Sequence, residues 1–505
     1  MPPSRQAAAL LVAALPLASC ASPSYDLLVI GGGSAGLTAA KFAARFGKSV
    51  ALIEKERLGG DCTWTGCVPS KTLIASASRA HSVRTSAAYG IERGGPVTVD
   101  MAAIKQRIGR TIGEIYDADD SPEALKKLGI DTISGSAKLV DAHSVAVTSG
   151  ASADPTVYRA SKGIVVATGA RPRAPRIDGL DGVAHLTYEQ VFDLEAVPAK
   201  LTVVGGGPVG CELSQAFARL GASVTLVASA LIPGHEPEAV ADLAASLRAD
   251  GITLVSGRAT AVSAGAGGQG HRLECSDGSV VDGDTLLVAV GRAPVVSGMG
   301  LEALGVELSA ATGGIVVDGK LRTAVKGVYA AGDCTGGEQF THYAGFQGAI
   351  AARNILLPLS DPGVLPSGVP GCVFTSPEIA RVGLTEAQAR AAAKKPADVA
   401  VAFRRMSKVD RAIAMGEAEL GFIKIVYKKG DGTILGATVM GPSAGELASE
   451  LSVAMAGKVK LPALASIMHA YPTISIALQQ MAAEVYYDQL EASMPLYNLL
   501  SKVGL

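Results

Sequence analysis

Cysteine, a surplus of one charge and long apolar runs are all scarce in this chain of 505 residues. Its seven cysteines are too few and too irregularly spaced for a disulfide scaffold, which belongs to short secreted domains. With 45 basic against 46 acidic side chains, the net charge is -1 and no long block has one sign. That balance excludes a nucleic-acid groove and a polybasic membrane face, and it suits a small neutral or anionic partner. Beyond the first 22 residues, no stretch of about 20 is apolar enough to be a transmembrane helix. A residue content that is 48% apolar gives ample material for cores, and the length predicts about three domains.

The N-terminus reads as an address. "MPPSRQAAALLVAALPLASCAS" has one early Arg5, an apolar run from Ala7 to Leu17, then small residues. "LASC", ending at Cys20, resembles a bacterial lipoprotein box, and the same run suits ordinary signal cleavage. Residues 1–22 are therefore expected to be a targeting segment, leading to the secretory route, to an organelle such as a plastid, or to a lipoprotein. A cytoplasmic protein with an unprocessed extension is the alternative. NADPH is available chiefly inside cells and no twin-arginine signal is present, which weighs against simple export.

One supersecondary pattern occurs twice. "YDLLVIGGGSAGLTAAKFAARFGKSVALIEKE" from Tyr25 and "KLTVVGGGPVGCELSQAFARLGASVTLVASA" from Lys200 each give an apolar strand, G-x-G-x-x-G, an Ala-rich helical stretch and a second strand. That is the order of a dinucleotide-binding βαβ unit. Gly31 and Gly205 permit the tight turn, Gly33 and Gly207 let backbone approach a pyrophosphate, and Gly36 and Gly210 let helix and strand pack closely. The copies differ at the end of the second strand, where Glu54 can accept hydrogen bonds from a ribose and Ala228 cannot. Ala228 leaves space for a 2′-phosphate, but the "SAL" that follows carries no arginine, so the second site leans only weakly to NADPH over NADH.

Between the copies, "GGDCTWTGCVPSK" (59–71) sets Cys62 and Cys67 five positions apart around the only tryptophan, Trp64. Zinc would need further Cys or His ligands nearby, and there are none. A structural disulfide would close so short a loop with little entropic gain, yet stays open as an alternative. Redox chemistry is the remaining reading: Pro69 can begin a helix whose N-terminal dipole lowers a thiol pKa.

In combination these stretches, with "ATGARP", "VGRAP" and "AGDCTGGEQFTHYAGFQGAIAARN", resemble the flavin-dependent pyridine nucleotide-disulfide oxidoreductases, the family of glutathione reductase, dihydrolipoamide dehydrogenase and mercuric reductase. The resemblance runs from Tyr25 nearly to the end. It implies an α/β fold of two Rossmann-like dinucleotide-binding domains, for FAD and NAD(P), and a C-terminal α+β dimerisation domain. The implied boundaries are 23–176 and 294–358 for the two parts of the FAD domain, 177–293 for the NAD(P) domain and 359–505 for the interface domain.

The family implies FAD held by Gly31, Gly33, Ser34, Ala35 and Gly36, by Glu54, Lys55, Gly60, Lys71 and Ala137, and by Thr168, Gly169, Gly332 and Asp333. NADPH or NADH would lie on Gly205, Gly207, Pro208, Val209, Gly210, Glu212, Ala228 and Gly291. Carried over by position, Cys67 is the charge-transfer thiol and Cys62 the interchange thiol, with Lys71 paired to Glu212. The plainer alternatives are a surface lysine and a solvated acid, with Trp64 a plug over the loop and Cys211 and Cys334 small core residues.

The chain departs from the family near its C-terminus. Disulfide reductases supply, across a dimer interface, a His and a Glu five positions later; in "HAYPTISIALQQMA" those places hold Tyr471 and Ile476. His469 stands two residues away with no acidic partner expected along the chain. Mercuric reductases also have a tyrosine there, but they carry a late cysteine pair, whereas this chain has none after Cys372. The expectation is a homodimeric enzyme passing electrons from NAD(P)H through FAD and the Cys62–Cys67 disulfide to a thiol-reactive small-molecule or metal-ion acceptor, with no resident metal. Disulfide-reductase chemistry of the dihydrolipoyl dehydrogenase or glutathione reductase type, serving cell redox homeostasis with Tyr471 or His469, is one alternative. A flavoprotein redox sensor without turnover is another.

Overall fold

The computed structural model describes residues 22–92, 94–150, 154–365 and 368–502. All but the last residue of the leader-like segment lies outside them. Both G-x-G-x-x-G stretches fold as strand, turn and helix. Ser24–Ile30 leads through Gly31 into the helix Ser34–Arg45, and Lys200–Val204 leads through Gly205 into Pro208–Leu220.

The two turns superpose in their steric logic. Gly31 has φ +105° and Gly205 φ +121°, and a Cβ on either would fall 2.3 Å from a carbonyl oxygen, of Ala167 or Ala289. Only glycine suits a site that is both left-handed and blocked. A Cβ on Gly36 or Gly210 would lie 1.8 Å from the carbonyl of Gly31 or Gly205.

Around the first unit, a sheet runs in the order Ile130–Ser134, Val50–Glu54, Ser24–Ile30, Thr156–Val166, Ser144–Thr148, Ser136–Asp141, and Val328–Ala330 also pairs with Thr156–Val166. The strands around Ser24–Ile30 pair in parallel. Their near-continuous buried runs are what helix-covered parallel strands require. The second unit has its own four-stranded parallel sheet, Thr253–Ser256, Ser223–Ala228, Lys200–Val204, Thr285–Val288. Because Val328–Ala330 returns to the first sheet, the second unit is an insertion within the first.

From Gly371 onward, five antiparallel strands form the last sheet, with Phe422–Lys428 and Ile434–Gly441 inside it and Ala444–Ala456 packed against it. Phe422–Val426 is buried at every position rather than at alternate ones. The cause is burial on both faces: Phe422 belongs to a core shared with the inserted unit, and Ile423 to the core of the C-terminal domain. That shared core also takes Leu73 and Ala77 from the helix Cys67–Arg84, so the redox helix is wedged between domains. No described helix is long and apolar enough to cross a membrane.

Candidate active site

The helix Cys67–Arg84 begins at Cys67 itself, two residues earlier than Pro69 led us to expect. The thiol therefore sits on the first residue of an 18-residue helix, at the positive end of its dipole. Cys62 comes from the short helix Gly60–Trp64 just before it. Both cysteines are free thiols, and each acts on the acidity of the other.

The interaction, with Cys62 as donor and Cys67 as acceptor, splits their acidities. It pushes the Cys62 thiol far up, with burial adding to the effect. It lowers Cys67 to about 6, against the opposing effect of burial. Two further groups favour the Cys67 thiolate. The Thr341 hydroxyl lies 3.1 Å from Cys67 Sγ, and the Lys71 ammonium acts through its charge.

Thr341 opens the helix Thr341–Leu356 and was not singled out from the sequence, although "EQFTHYAG" contains it; nothing in a linear pattern places it against residue 67. We expect Thr341→Val to raise the pH at which the Cys67 thiolate appears by about one unit, because one charge-assisted hydrogen bond is lost. Titration of the thiolate absorbance checks this, and an unmoved midpoint would remove Thr341 from the account.

Lys71 lies one turn beyond Cys67, and its Nζ is 2.8 Å from Glu212 Oε2. The Glu212 carboxylate is buried and takes a second hydrogen bond from the Phe374 backbone N–H, while Phe374 puts its ring under the ammonium. The structure thus brings together a residue of the redox helix and one from the inserted unit, 141 positions apart.

A single cavity of about 1550 Å³ passes from the first glycine turn, past both thiols, to the second glycine turn. Its walls include Gly31, Gly33, Ser34, Ala35, Glu54, Lys55, Gly60, Ala137, Thr168, Gly169, Gly332 and Asp333 on one side. On the other are Gly205, Gly207, Pro208, Val209, Glu212, Ala228 and Gly291. Two of the expected binding residues, Gly36 and Gly210, do not line it. They stand behind the turns, where the lack of a Cβ lets each helix meet the turn's backbone.

Glu54 Oε2 accepts from the Gly32 N–H at 2.6 Å, so the carboxylate sits at the turn where a ribose would lie. Asp333 is held by Arg292 at 2.6 Å, and Arg292 also reaches Asp61 and Tyr188, tying the redox loop to the cavity wall. Burial raises the Asp333 pKa against the pull of Arg292. The sequence reading passed over Arg292 within "VGRAP", Asp61 and Tyr188. The two glycine turns, blocked to a Cβ at Gly31 and Gly205 and open at Gly33 and Gly207, and the volume of the cavity that joins them fit two dinucleotides.

Trp64 packs tilted against Tyr116, lies under Arg57 and donates from Nε1 to the Leu58 carbonyl at 2.6 Å, so it anchors the loop. Cys211 and Cys334 are fully buried. Cys372 lines the cavity with its thiol pKa raised by burial, and then by Glu378. Among the described residues, no cluster of three or more His, Cys, Asp or Glu is placed to hold a metal ion.

The C-terminal stretch corrects one expectation. His469 does have an acidic partner: its Nε2 lies 2.7 Å from Glu450 Oε1, on the helix Ala444–Ala456. Its Nδ1 donates to the Ile467 carbonyl at 2.7 Å, and the side chain is only 7% exposed. The partner was missed because it precedes the histidine by 19 residues instead of following it by five. Tyr471 is 68% exposed and donates to Asp410 Oδ2 at 3.2 Å, which raises its pKa. Neither residue lines this chain's own cavity. Tyr471, Met468 and Val453 are exposed on the C-terminal domain.

Comparison with known proteins agrees with this geometry. The family model described as "Pyridine nucleotide-disulphide oxidoreductase" matches residues 25–348, and that family's dimerisation domain matches 369–482. Dihydrolipoyl dehydrogenase 2 of Haloarcula marismortui is 34% identical over 91% of this chain and 96% of its own length. A mercuric reductase of Streptomyces lividans is also 34% identical, over 92% and 97%. Among solved structures, the Cu(II) complex of the HOCl-induced flavoprotein disulfide reductase RclA from Escherichia coli is similar with TM-score 0.80 and 26% identity, covering 92% of this chain and 99% of that one. LpdA from Mycobacterium tuberculosis gives 0.82 and 30%, covering 92% and 99%.

Proposed function

This chain belongs to the pyridine nucleotide-disulphide oxidoreductases, and from that premise we propose that its acceptor is a soft, thiol-reactive species, in the first place a metal ion, as in mercuric reductase. It is an FAD-dependent enzyme oxidising NAD(P)H, with a dimerisation domain of its own. Bound FAD and NAD(P)H supply an electron pair as hydride chemistry. The protein's residues do the rest.

The pair enters the Cys62–Cys67 disulfide and breaks its S–S bond. Cys67 keeps the negative charge, favoured by the Cys62 and Thr341 hydrogen bonds and the Lys71 charge, and Cys62 keeps the proton. Glu212 holds Lys71 in place beside the thiolate. Cys62 then gives up its proton on meeting the acceptor, the two sulfurs close again to a disulfide, and the two electrons released go to one Hg(II) or to two Cu(II) ions in succession.

The observation that carries the choice of acceptor is the engagement of both ring nitrogens of His469. An organic disulfide needs a proton for its leaving thiolate, and an imidazole already bonded through Nδ1 and Nε2 is a poor donor. Tyr471, held neutral by Asp410, is no faster a shuttle at pH 7. A cation that displaces the Cys62 proton needs neither. The Cu(II) complex of RclA supports a metal ion as ligand in a protein of this shape.

The second reading, a dihydrolipoyl dehydrogenase, is favoured by relatives of that name at equal identity. A panel of NADPH and NADH turnover with Hg(II), Cu(II), lipoamide and glutathione disulfide decides between the two. We expect metal-dependent turnover to exceed that with either disulfide by at least about tenfold. Equal or faster lipoamide turnover would replace the first reading with the second.

A further inference from the structure

The molecule contains its own control for coenzyme choice, because the two glycine turns present equivalent positions. In the first unit, the residue ending the second strand is Glu54, whose carboxylate takes the Gly32 N–H at 2.6 Å. In the second, Ala228 ends the strand, and a Cβ on Gly206 would lie 2.8 Å from the Ala228 Cβ. The same place beside the turn is therefore filled by a carboxylate once and by a methyl group once. A carboxylate there accepts from a free ribose 2′-hydroxyl and repels a 2′-phosphate; a methyl group does neither.

What surrounds Ala228 is basic. The neighbouring strand pairs Ser256 with Ala228, and the Gly257 N–H donates to the Ala228 carbonyl at 3.2 Å, which sets Arg258 just past the end of the ladder. A second arginine arrives from another direction. Asp178 bridges in parallel to Ala261, with its N–H on the Thr260 carbonyl at 2.9 Å, so Arg176, two residues earlier, runs beside Arg258 and Ala259.

Arg176, Ala228, Ser229 and Arg258 all line the cavity. Both arginines are exposed, and neither guanidinium has a carboxylate partner among the described residues. The carboxylate nearest that loop is Asp277, 3.3 Å from where a Gly257 Cβ would stand, and it is engaged by Ser279. The sequence reading found no arginine in the residues after Ala228; the fold brings two from 52 positions before it and 30 after.

We propose that Arg258 and Arg176 clamp the 2′-phosphate of an adenosine ribose beside Ala228 and Ser229, making NADPH the preferred coenzyme. Guanidinium forks match a phosphate's paired oxygens, and a hydroxyl offers them nothing of comparable strength. The assignment rests on the reading that the second glycine turn holds a nicotinamide dinucleotide.

Calorimetric titration of the FAD-loaded protein with NADP⁺, NAD⁺, 2′,5′-ADP and 5′-AMP tests it without turnover. NADP⁺ should bind at least about tenfold tighter than NAD⁺, and 2′,5′-ADP tighter than 5′-AMP by a similar factor. Arg258→Ser and Arg176→Ser should each cut NADP⁺ affinity by about fivefold or more, with NAD⁺ moving less than about twofold. Ala228→Glu should favour NAD⁺. The 2′-phosphate difference should also shrink with added salt, because both arginines are exposed. NAD⁺ binding as tightly as NADP⁺ to the unaltered protein, or equal losses of both in Arg258→Ser, would overturn the clamp and leave the enzyme assignment standing. If a yellow, FAD-loaded protein bound neither dinucleotide, the second turn would not be a coenzyme site and both would fall.

Discussion

A Cys62→Ser variant is expected to lose acceptor reduction by at least about 10³-fold while still holding FAD and still being reduced by its coenzyme. The reason is the division of labour between the sulfurs. Cys67 is the stabilised thiolate, deep beside Lys71 and Thr341, and Cys62 is the sulfur whose proton is free to be exchanged for an acceptor. Serine keeps a hydroxyl able to donate to Cys67, so the long-wavelength thiolate-to-flavin absorption should persist without any reduction. It should grow as pH rises through the depressed pKa of Cys67 and fade below it, since that pKa belongs to the thiol losing its proton.

Cys62→Ala removes the donor that is the largest cause of that depression, so its midpoint should lie above that of the serine variant. Anaerobic spectra over a pH series, together with turnover on Hg(II), read both effects. Undiminished turnover in Cys62→Ser would end the thiol relay.

Lys424→Met should destabilise the FAD-loaded protein by about 3–5 kcal/mol at neutral pH, the usual effect of leaving a buried ionic group without its partner. Lys424 is 4% exposed and its Nζ meets Glu236, Glu238 and Glu386 at 3.0, 2.9 and 2.9 Å. Burial works against its charge, and the hydrogen bonds to Glu238, Glu386 and Glu236 more than offset it, so its pKa rises. Glu236 is itself 2% exposed and also takes the Glu386 N–H at 2.7 Å.

Glu236 and Glu238 start the helix Pro237–Ala249 of the inserted unit, whereas Lys424 and Glu386 belong to the C-terminal domain. The cluster therefore fastens the coenzyme-binding unit to the domain that carries the dimerisation surface. Glu386 is held below the usual carboxylate range, first by its hydrogen bond to Lys424, and Glu238 is lowered against burial by the same lysine. Depressed carboxylates stabilise above their unfolded pKa and lose that contribution as pH falls. The penalty in Lys424→Met should accordingly be largest near pH 7 and shrink as the pH drops towards 4. Denaturant midpoints at the two pH values check the sign; a pH-independent loss would mean that packing, not charge, is what the lysine supplies.

Much of the protein could be read from its chain because the relevant physics is local. A tight left-handed turn needs glycine at Gly31 and Gly205, a buried parallel strand needs an unbroken apolar run, and two cysteines five apart in a short loop, within a stretch resembling the family's, mark a candidate redox pair. Each is a constraint over a few consecutive residues, so the two nucleotide units and the Cys62–Cys67 couple were visible without coordinates.

What the linear order could not carry were pairings between distant segments. Glu450 reaches His469 from one helix back, Thr341 meets Cys67 across 274 positions, Lys424 gathers three carboxylates from two domains, and Arg176 and Arg258, from opposite sides of Ala228 in sequence, line the same cavity as it does. A charge or hydroxyl has a strength fixed by its chemistry, but its effect depends on distance and on the water excluded around it. Folding alone sets both.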